Sequence, residues 1–161
     1  MPPVVILQHF TNFSFLYKPK TKLVFPTSIT AIVIDYGTAN TFDVINEKSE
    51  FITGFITPGI SSCAEALYQK AAQLPKIEIK APKSIIAKNT VDSFQAGLVL
   101  GHIGQTKYII EQLKEKLNLP NMKVIATGGL ARVIDPKGEI FDVLDPVLTL
   151  KGLRILYEKN K

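Results

Sequence analysis

Cysteine is nearly missing from this chain: Cys63 is the only thiol in 161 residues, so no internal disulfide can form, which suits a reducing, cytoplasmic setting. Histidine is almost as scarce. His9 and His102 stand alone, without the clustered ligands that a zinc-type site requires. No apolar run approaches the roughly 18 residues needed to cross a bilayer. The opening Met1 to Leu7 has no positively charged segment ahead of its short apolar stretch, so it does not read as a signal peptide. Neither a P-loop nor a dinucleotide fingerprint is present. The lysines do not interleave with aromatics on a regular element, and no nucleic-acid motif is found. Acidic residues are absent from positions 1–28.

What remains is ordinary globular material: 46% hydrophobic and 20% charged residues make whole-chain disorder untenable, and the length suits one domain. The net charge of +5 suits anionic ligands, but it equally suits simple solubility. Residues 1–28 crowd Phe10, Phe13, Phe15, Tyr17 and Phe25 among Pro2, Pro3, Pro19 and Pro26. They show no sustained period and read as an irregular lead-in with one short strand at most.

From Ser28 onward the text becomes regular. Ile29 to Ile34 is a β-branched apolar run of the kind found in buried strands. Strands over Thr41 to Ile45 and Glu50 to Ile56 follow, and their short connections predict an antiparallel meander. Ser62 and Glu65 have capping-box spacing, which predicts a helix starting there. A long helical pattern runs from Asn89 to about Leu117, continuous or broken near Gly104. Its Gly97, Gly101 and Gly104 share one face. Glycine costs about 1 kcal/mol inside a helix, so that face predicts a closely packed neighbour: a sheet, a helix or a second subunit. Lys123 to Ala126 reads as another buried strand. Pro146 to Glu158 reads as a final helix with Leu150, Leu153 and Leu156 or Tyr157 facing inward. Strands and helices together place the chain in the α/β class.

Three segments could carry chemistry. Asp35-Tyr36-Gly37-Thr38-Ala39-Asn40-Thr41 joins two strands. An acid at a strand end can hold a cation, Gly37 lets backbone N–H groups approach an anion, and Thr38 can donate to a phosphate oxygen. On spacing alone, an ordinary hairpin with an acidic turn residue is the more economical reading. Ala126-Thr127-Gly128-Gly129 lies between a strand and a helix start, where free N–H groups could meet an anion; it also describes a plain tight turn. Lys88-Asn89-Thr90 heads the long helix and could bind an anion or a hydroxyl compound, or simply cap the helix. Cys63 and His102 read as packed helix residues.

The order of these segments resembles that of the type III pantothenate kinases. Asp35-Tyr36-Gly37-Thr38-Ala39-Asn40-Thr41-Phe42-Asp43-Val44 is similar to the family's internal signature. It is followed by Gly54 to Ile60, Lys88-Asn89-Thr90-Val91, Ala126-Thr127-Gly128-Gly129-Leu130-Ala131 and Asp145 to Leu153, in the family's order and at similar spacing. The resemblance covers residues 29–161 and leaves 1–28 unmatched. It implies a ribonuclease H-like lobe of the actin and sugar-kinase superfamily, with a mixed sheet and packed helices. It implies ATP-dependent phosphorylation of pantothenate, the first step of coenzyme A biosynthesis, with Mg2+ and a monovalent cation (K+ or NH4+), in a homodimer.

By resemblance, Asp35 matches the monovalent-cation ligand, Gly37 and Thr38 a nucleotide-phosphate contact, Thr90 a pantothenate contact, and Gly128 and Gly129 the turn near the nucleotide. The family's opening Asp-x-Gly-Asn-Thr loop has no counterpart here, nor does its Gly-x-Asp-Arg segment. The general-base Asp of that segment therefore matches no residue. The sequence thus predicts the C-terminal half of such a kinase, incomplete alone, served by a homodimer or a separate N-terminal half. A non-catalytic nucleotide-binding or accessory remnant of the same fold is the alternative, and a superfamily kinase with another substrate a third reading.

Overall fold

The computed structural model describes residues 29–48 and 50–161; the expected lead-in over 1–28 lies outside them. Five strands, β1 (Ala31–Tyr36), β2 (Ala39–Ile45), β3 (Phe51–Pro58), β4 (Lys123–Thr127) and β5 (Val143–Leu144), form one sheet in the order β3-β2-β1-β4-β5. The β1-β2-β3 meander is antiparallel, whereas β4 pairs parallel to β1 and β5 parallel to β4. This is the mixed α/β sheet expected from the sequence, with β1 shifted two residues later than its apolar run, β2 starting two residues earlier, and β3 starting one later and ending two later.

β1 is apolar nearly throughout because it lies at the centre, flanked on both sides and buried on both faces. The registers Ile32↔Val44, Ile34↔Phe42 and Ile34↔Ala126 put these residues on one face. That face packs against α1 (Ile60–Lys70), α2 (Thr90–Lys116) and the short α3 (Ala131–Ile134), through Ile60, Phe94, Leu98, Val99, Ile110, Leu113 and Ile134. Each large side chain fully buried there is worth about 1.5–3 kcal/mol of transfer free energy.

The helices hold both agreements and corrections. α2 is one unbroken helix of 27 residues, about 40 Å long. Its start is capped as predicted: Asn89 accepts the Asp92 N–H at 2.9 Å and donates to the Asp92 carboxylate at 2.7 Å. Neither a sheet nor a helix among the described residues covers its glycines, which leaves a second subunit as the expected neighbour. Gly97, Gly101 and Gly104 are exposed, and no described atom lies within 4 Å of where a Cβ would stand. The anticipated Ser62 capping box does not form either. α1 begins two residues earlier behind Gly59, with no side-chain cap. The Ser62 hydroxyl is used instead to reach the Thr38 carbonyl at 2.7 Å. On α4 (Leu148–Lys159) Gly152 and Ile155 face inward among the described side chains, while Leu150, Leu153 and Tyr157 are exposed, contrary to the predicted face; the Leu156 side chain lies outside the described ones. A small residue can lie as close to the core as a large one, which hydrophobic periodicity cannot register.

Asp135 organises the loop between α3 and β5. It is 8% exposed and accepts backbone N–H groups from Glu139, Ile140 and Phe141 at 2.8–3.0 Å. Burial alone would raise its carboxyl; the bonds from Phe141, Ile140, Glu139 and Gly138 outweigh burial and hold it below the ordinary range. A depressed folded value means that the stabilisation is fully present above the unfolded value of about 3.9 and is lost as pH falls through the folded one. Asp135→Asn should therefore cost about 2 kcal/mol at pH 7. The gap to wild type should narrow in urea titrations repeated as pH falls below the unfolded value of about 3.9. An equal gap at both pH values would contradict this role.

Candidate functional site

The parallel register pairs Asp35 with Thr127, so the ends of β1 and β4 lie side by side and the first two predicted segments meet. Gly128 is where they touch. Its φ is +94°, and a Cβ there would stand 2.4 Å from the Tyr36 carbonyl oxygen, 2.6 Å from the Tyr36 nitrogen and 2.7 Å from Asp35 Oδ1. Only a residue without a side chain allows both the left-handed backbone and this approach. Asp35 is half-buried at the strand end. Its register partners on either side are Thr41 and Thr127, two hydroxyl residues on the same sheet face.

The Gly37-Thr38 turn is braced from a second direction. The Gly59 N–H donates to the Thr38 carbonyl at 3.0 Å, beside the Ser62 bond to the same oxygen. A Cβ on Gly59 would stand 2.3 Å from the Gly37 oxygen. Thr38 itself is exposed, so its carbonyl is tied down while the residue faces solvent. Tyr36, directly before the turn, points to the helix side, where its hydroxyl meets Thr106 Oγ1 at 2.8 Å. Burial drives the Tyr36 phenol well above its ordinary range; the Thr106 contact lowers it partly and the Asp135 charge raises it. His102 is a packed helix residue, as predicted: its ring nitrogens lie 2.8 Å from the Leu98 carbonyl and 3.4 Å from the Pro58 carbonyl.

Not every predicted residue joins this cluster. Gly129 adjoins Gly128 but has open space at its Cβ position. The helix expected after it is only four residues long, with no side-chain cap. Thr90 lies elsewhere. It begins α2, and it is Thr106, sixteen residues later, that touches Tyr36. Sixteen residues of helix rise about 24 Å, so Thr90 is well separated from Asp35 within one chain.

The sequence reading assigned no role to Asp145 or Lys151, which the structure sets beside the end of β4. The Asp145 N–H donates to the Ala126 carbonyl at 2.9 Å, and its carboxylate accepts the Val147 N–H at 3.1 Å and Lys151 Nζ at 2.6 Å. The Asp145-Pro146 pair ahead of a helical pattern was the available signal. Among the described residues no group of three or more His, Cys, Asp or Glu side chains could hold a metal ion by itself.

The family model described as type III pantothenate kinase matches residues 23–112, more than half of the chain. The chain belongs to the type III pantothenate kinase family. Asp35, Gly37, Thr38 and Thr90 lie inside the matched segment, Gly128 and Gly129 beyond it. Two solved structures share the fold. A protein from Campylobacter jejuni described as a conserved Baf family transcriptional activator superposes with a TM-score of 0.54 at 22% identity, over 81% of this chain and 58% of its own. A protein from Sinorhizobium meliloti described as a 2-dehydro-3-deoxygalactonokinase gives 0.53 at 9% identity, over 83% of this chain and 55% of its own. The chain thus spans little more than half the length of either. At these identities the likenesses show a shared fold, the mixed sheet with packed helices described above. No helix among the described residues is long and apolar enough to cross a membrane.

The glycines separate sharply in what they tolerate. Gly128→Ala should lower stability by about 2–3 kcal/mol, because a Cβ meets backbone at a positive φ. Gly129→Ala should change it by less than about 0.5 kcal/mol. Thermal unfolding of the two variants checks the contrast.

Proposed function

We propose that this lobe serves an ATP-dependent pantothenate kinase, which moves the γ-phosphoryl group of ATP to the pantothenate hydroxyl and yields 4'-phosphopantothenate and ADP. The observation that carries the reading is the contact of the Asp35 carboxylate with Gly128, which brings an acid, a hydroxyl turn and a glycine turn to one sheet end. In this reading Asp35 would hold the monovalent cation. Its sheet neighbours fit such an ion: the carboxylate is flanked in register by the hydroxyl residues Thr41 and Thr127. A single carboxylate also fits Mg2+ held mainly by substrate phosphates. These cations would offset phosphate charge. Thr38, Gly128 and Gly129 would receive the nucleotide phosphates through backbone N–H groups and the Thr38 hydroxyl, with Gly37, whose N–H is bonded to the Ala39 carbonyl, shaping the turn, and Thr90 would contact pantothenate.

Phosphoryl transfer depends mostly on positioning and charge stabilisation. The attacking hydroxyl must still pass its proton to a base, and no residue here matches the family's. A separate N-terminal half or another subunit would supply it. Leu150, Leu153 and Tyr157, exposed along α4 at 64%, 41% and 65%, support a partner surface. The second reading is a nucleotide-binding accessory protein without turnover, which the unmatched base favours. The cytoplasm is the setting either function requires.

Purified chain with ATP, Mg2+, K+ and pantothenate should be assayed for 4'-phosphopantothenate and, separately, for ATP binding. We expect ATP binding that weakens at least about tenfold in Asp35→Asn and Thr38→Ala, from the loss of a charged or phosphate-directed contact. Turnover is expected only once an N-terminal half is added, with Thr90→Ala then raising the KM for pantothenate. Binding without turnover under every condition would favour the accessory reading; no binding at all would overturn both.

A further inference from the structure

Tyr36 touches both turns of the site and the helix layer beneath them. Its backbone nitrogen and carbonyl pack on Gly128, within 2.6 Å of where a Cβ would stand. Its carbonyl carbon leads directly into the Gly37-Thr38 turn. Its side chain, 2% exposed, enters the helix layer on the opposite side of the sheet from Asp35. There the hydroxyl meets the 1%-exposed Thr106 at 2.8 Å, and the ring lies 5.8 Å from Phe141 at an interplanar angle of 47°. Phe141 belongs in turn to the loop that Asp135 holds.

We propose that Tyr36 is a positioning residue: its hydroxyl contact with Thr106 of α2 sets the relative placement of the Gly37-Thr38 and Gly128-Gly129 turns, and hence their fit to a polyphosphate. For its functional half this rests on the nucleotide-binding reading given above. Positioning and mere stability are separated by what is read. Removing the Thr106 hydroxyl leaves the Tyr36 ring packed on Phe141 but its buried phenol without a partner, which lowers the melting temperature. The constraint on where Tyr36 sits is lost as well, and the turn amides and ATP affinity register that loss. Because Tyr36 backbone atoms pack so closely on Gly128, a shift at Tyr36 is transmitted to both turns together.

The test uses the whole chain with Thr106→Val, which deletes the contact from the helix side without altering either turn. Thr106→Ser keeps the hydroxyl, and Tyr108→Phe removes a phenol from a residue 63% exposed on the same helix as a control. Backbone amide resonances of Gly37, Thr38, Gly128 and Gly129 are followed by 1H-15N correlation spectra, and affinity for ATP-Mg by calorimetry. Thr106→Val should move the amides of both turns and weaken ATP about tenfold, the equivalent of one buried hydrogen bond. Thr106→Ser and Tyr108→Phe should stay near wild type. A Thr106→Val protein whose Gly128 and Gly129 amides do not move, or whose ATP affinity is unchanged while its melting temperature falls, would overturn the proposal. If wild type itself binds no ATP, the nucleotide reading fails, and the amide response alone decides whether Tyr36 couples the turns.

Discussion

The contact on which the rest of the structure depends is the parallel pairing of β1 with β4, sealed where Gly128 meets the backbone of Tyr36 and the carboxylate of Asp35. Parallel strands cannot be joined by a tight turn; a long crossover must return the chain to the same end of the sheet. Here that crossover contains β2, β3, α1 and the whole of α2. Its length leaves room for the helix layer that buries one sheet face. Because the pairing is parallel, two strand ends rather than one face the same way, and the two turns that follow them become neighbours. The absence of a Cβ at residue 128 lets them close to contact distance.

A second constraint acts from the opposite side. The Thr38 carbonyl accepts from both Gly59 and Ser62, so the first turn is tied to the head of α1 as well as to β4. His102 and Thr106, four residues apart on α2, reach Pro58 and Tyr36. The residues immediately before the Gly37 turn and before Gly59 are thus both held by one helix. Exposed Thr38 sits on a turn whose Gly37 N–H and Thr38 carbonyl are already paired, the condition under which a loop can present a hydroxyl without drifting.

Much of this was legible in the text of the chain because it rests on local chemistry. β-branched runs marked β1 and β4, Asn89 with Asp92 marked the start of α2, and the order of short motifs marked the family. The failures have a common cause. Ser62 looked like a helix cap because its spacing to Glu65 is right, but the Thr38 carbonyl, distant in sequence, takes its hydroxyl. Leu150 and Leu153 looked inward because apolar periodicity counts side chains, whereas Gly152 and Ile155 face in among the described positions. The glycine face of α2 was expected to meet a sheet, a helix or a second subunit, and no sheet or helix among the described residues meets it. In each case a partner from another element, or its absence, overrode a sound local inference.

The sequence by itself determined the class of the fold, the identity of the strands and of the long helix, and the residue types able to meet phosphate and cation. Those properties follow from side-chain shape and from bonds among near neighbours. Only the tertiary structure brought Asp35, the Gly37-Thr38 turn and Gly128 together at one sheet end, while Thr90 begins α2 about 24 Å along its axis from Thr106. Only it showed that Asp135, Asp145 and Tyr36 hold the surrounding backbone. Strand order and parallel register are set by burial over the whole sheet, and no window of neighbouring residues contains that information.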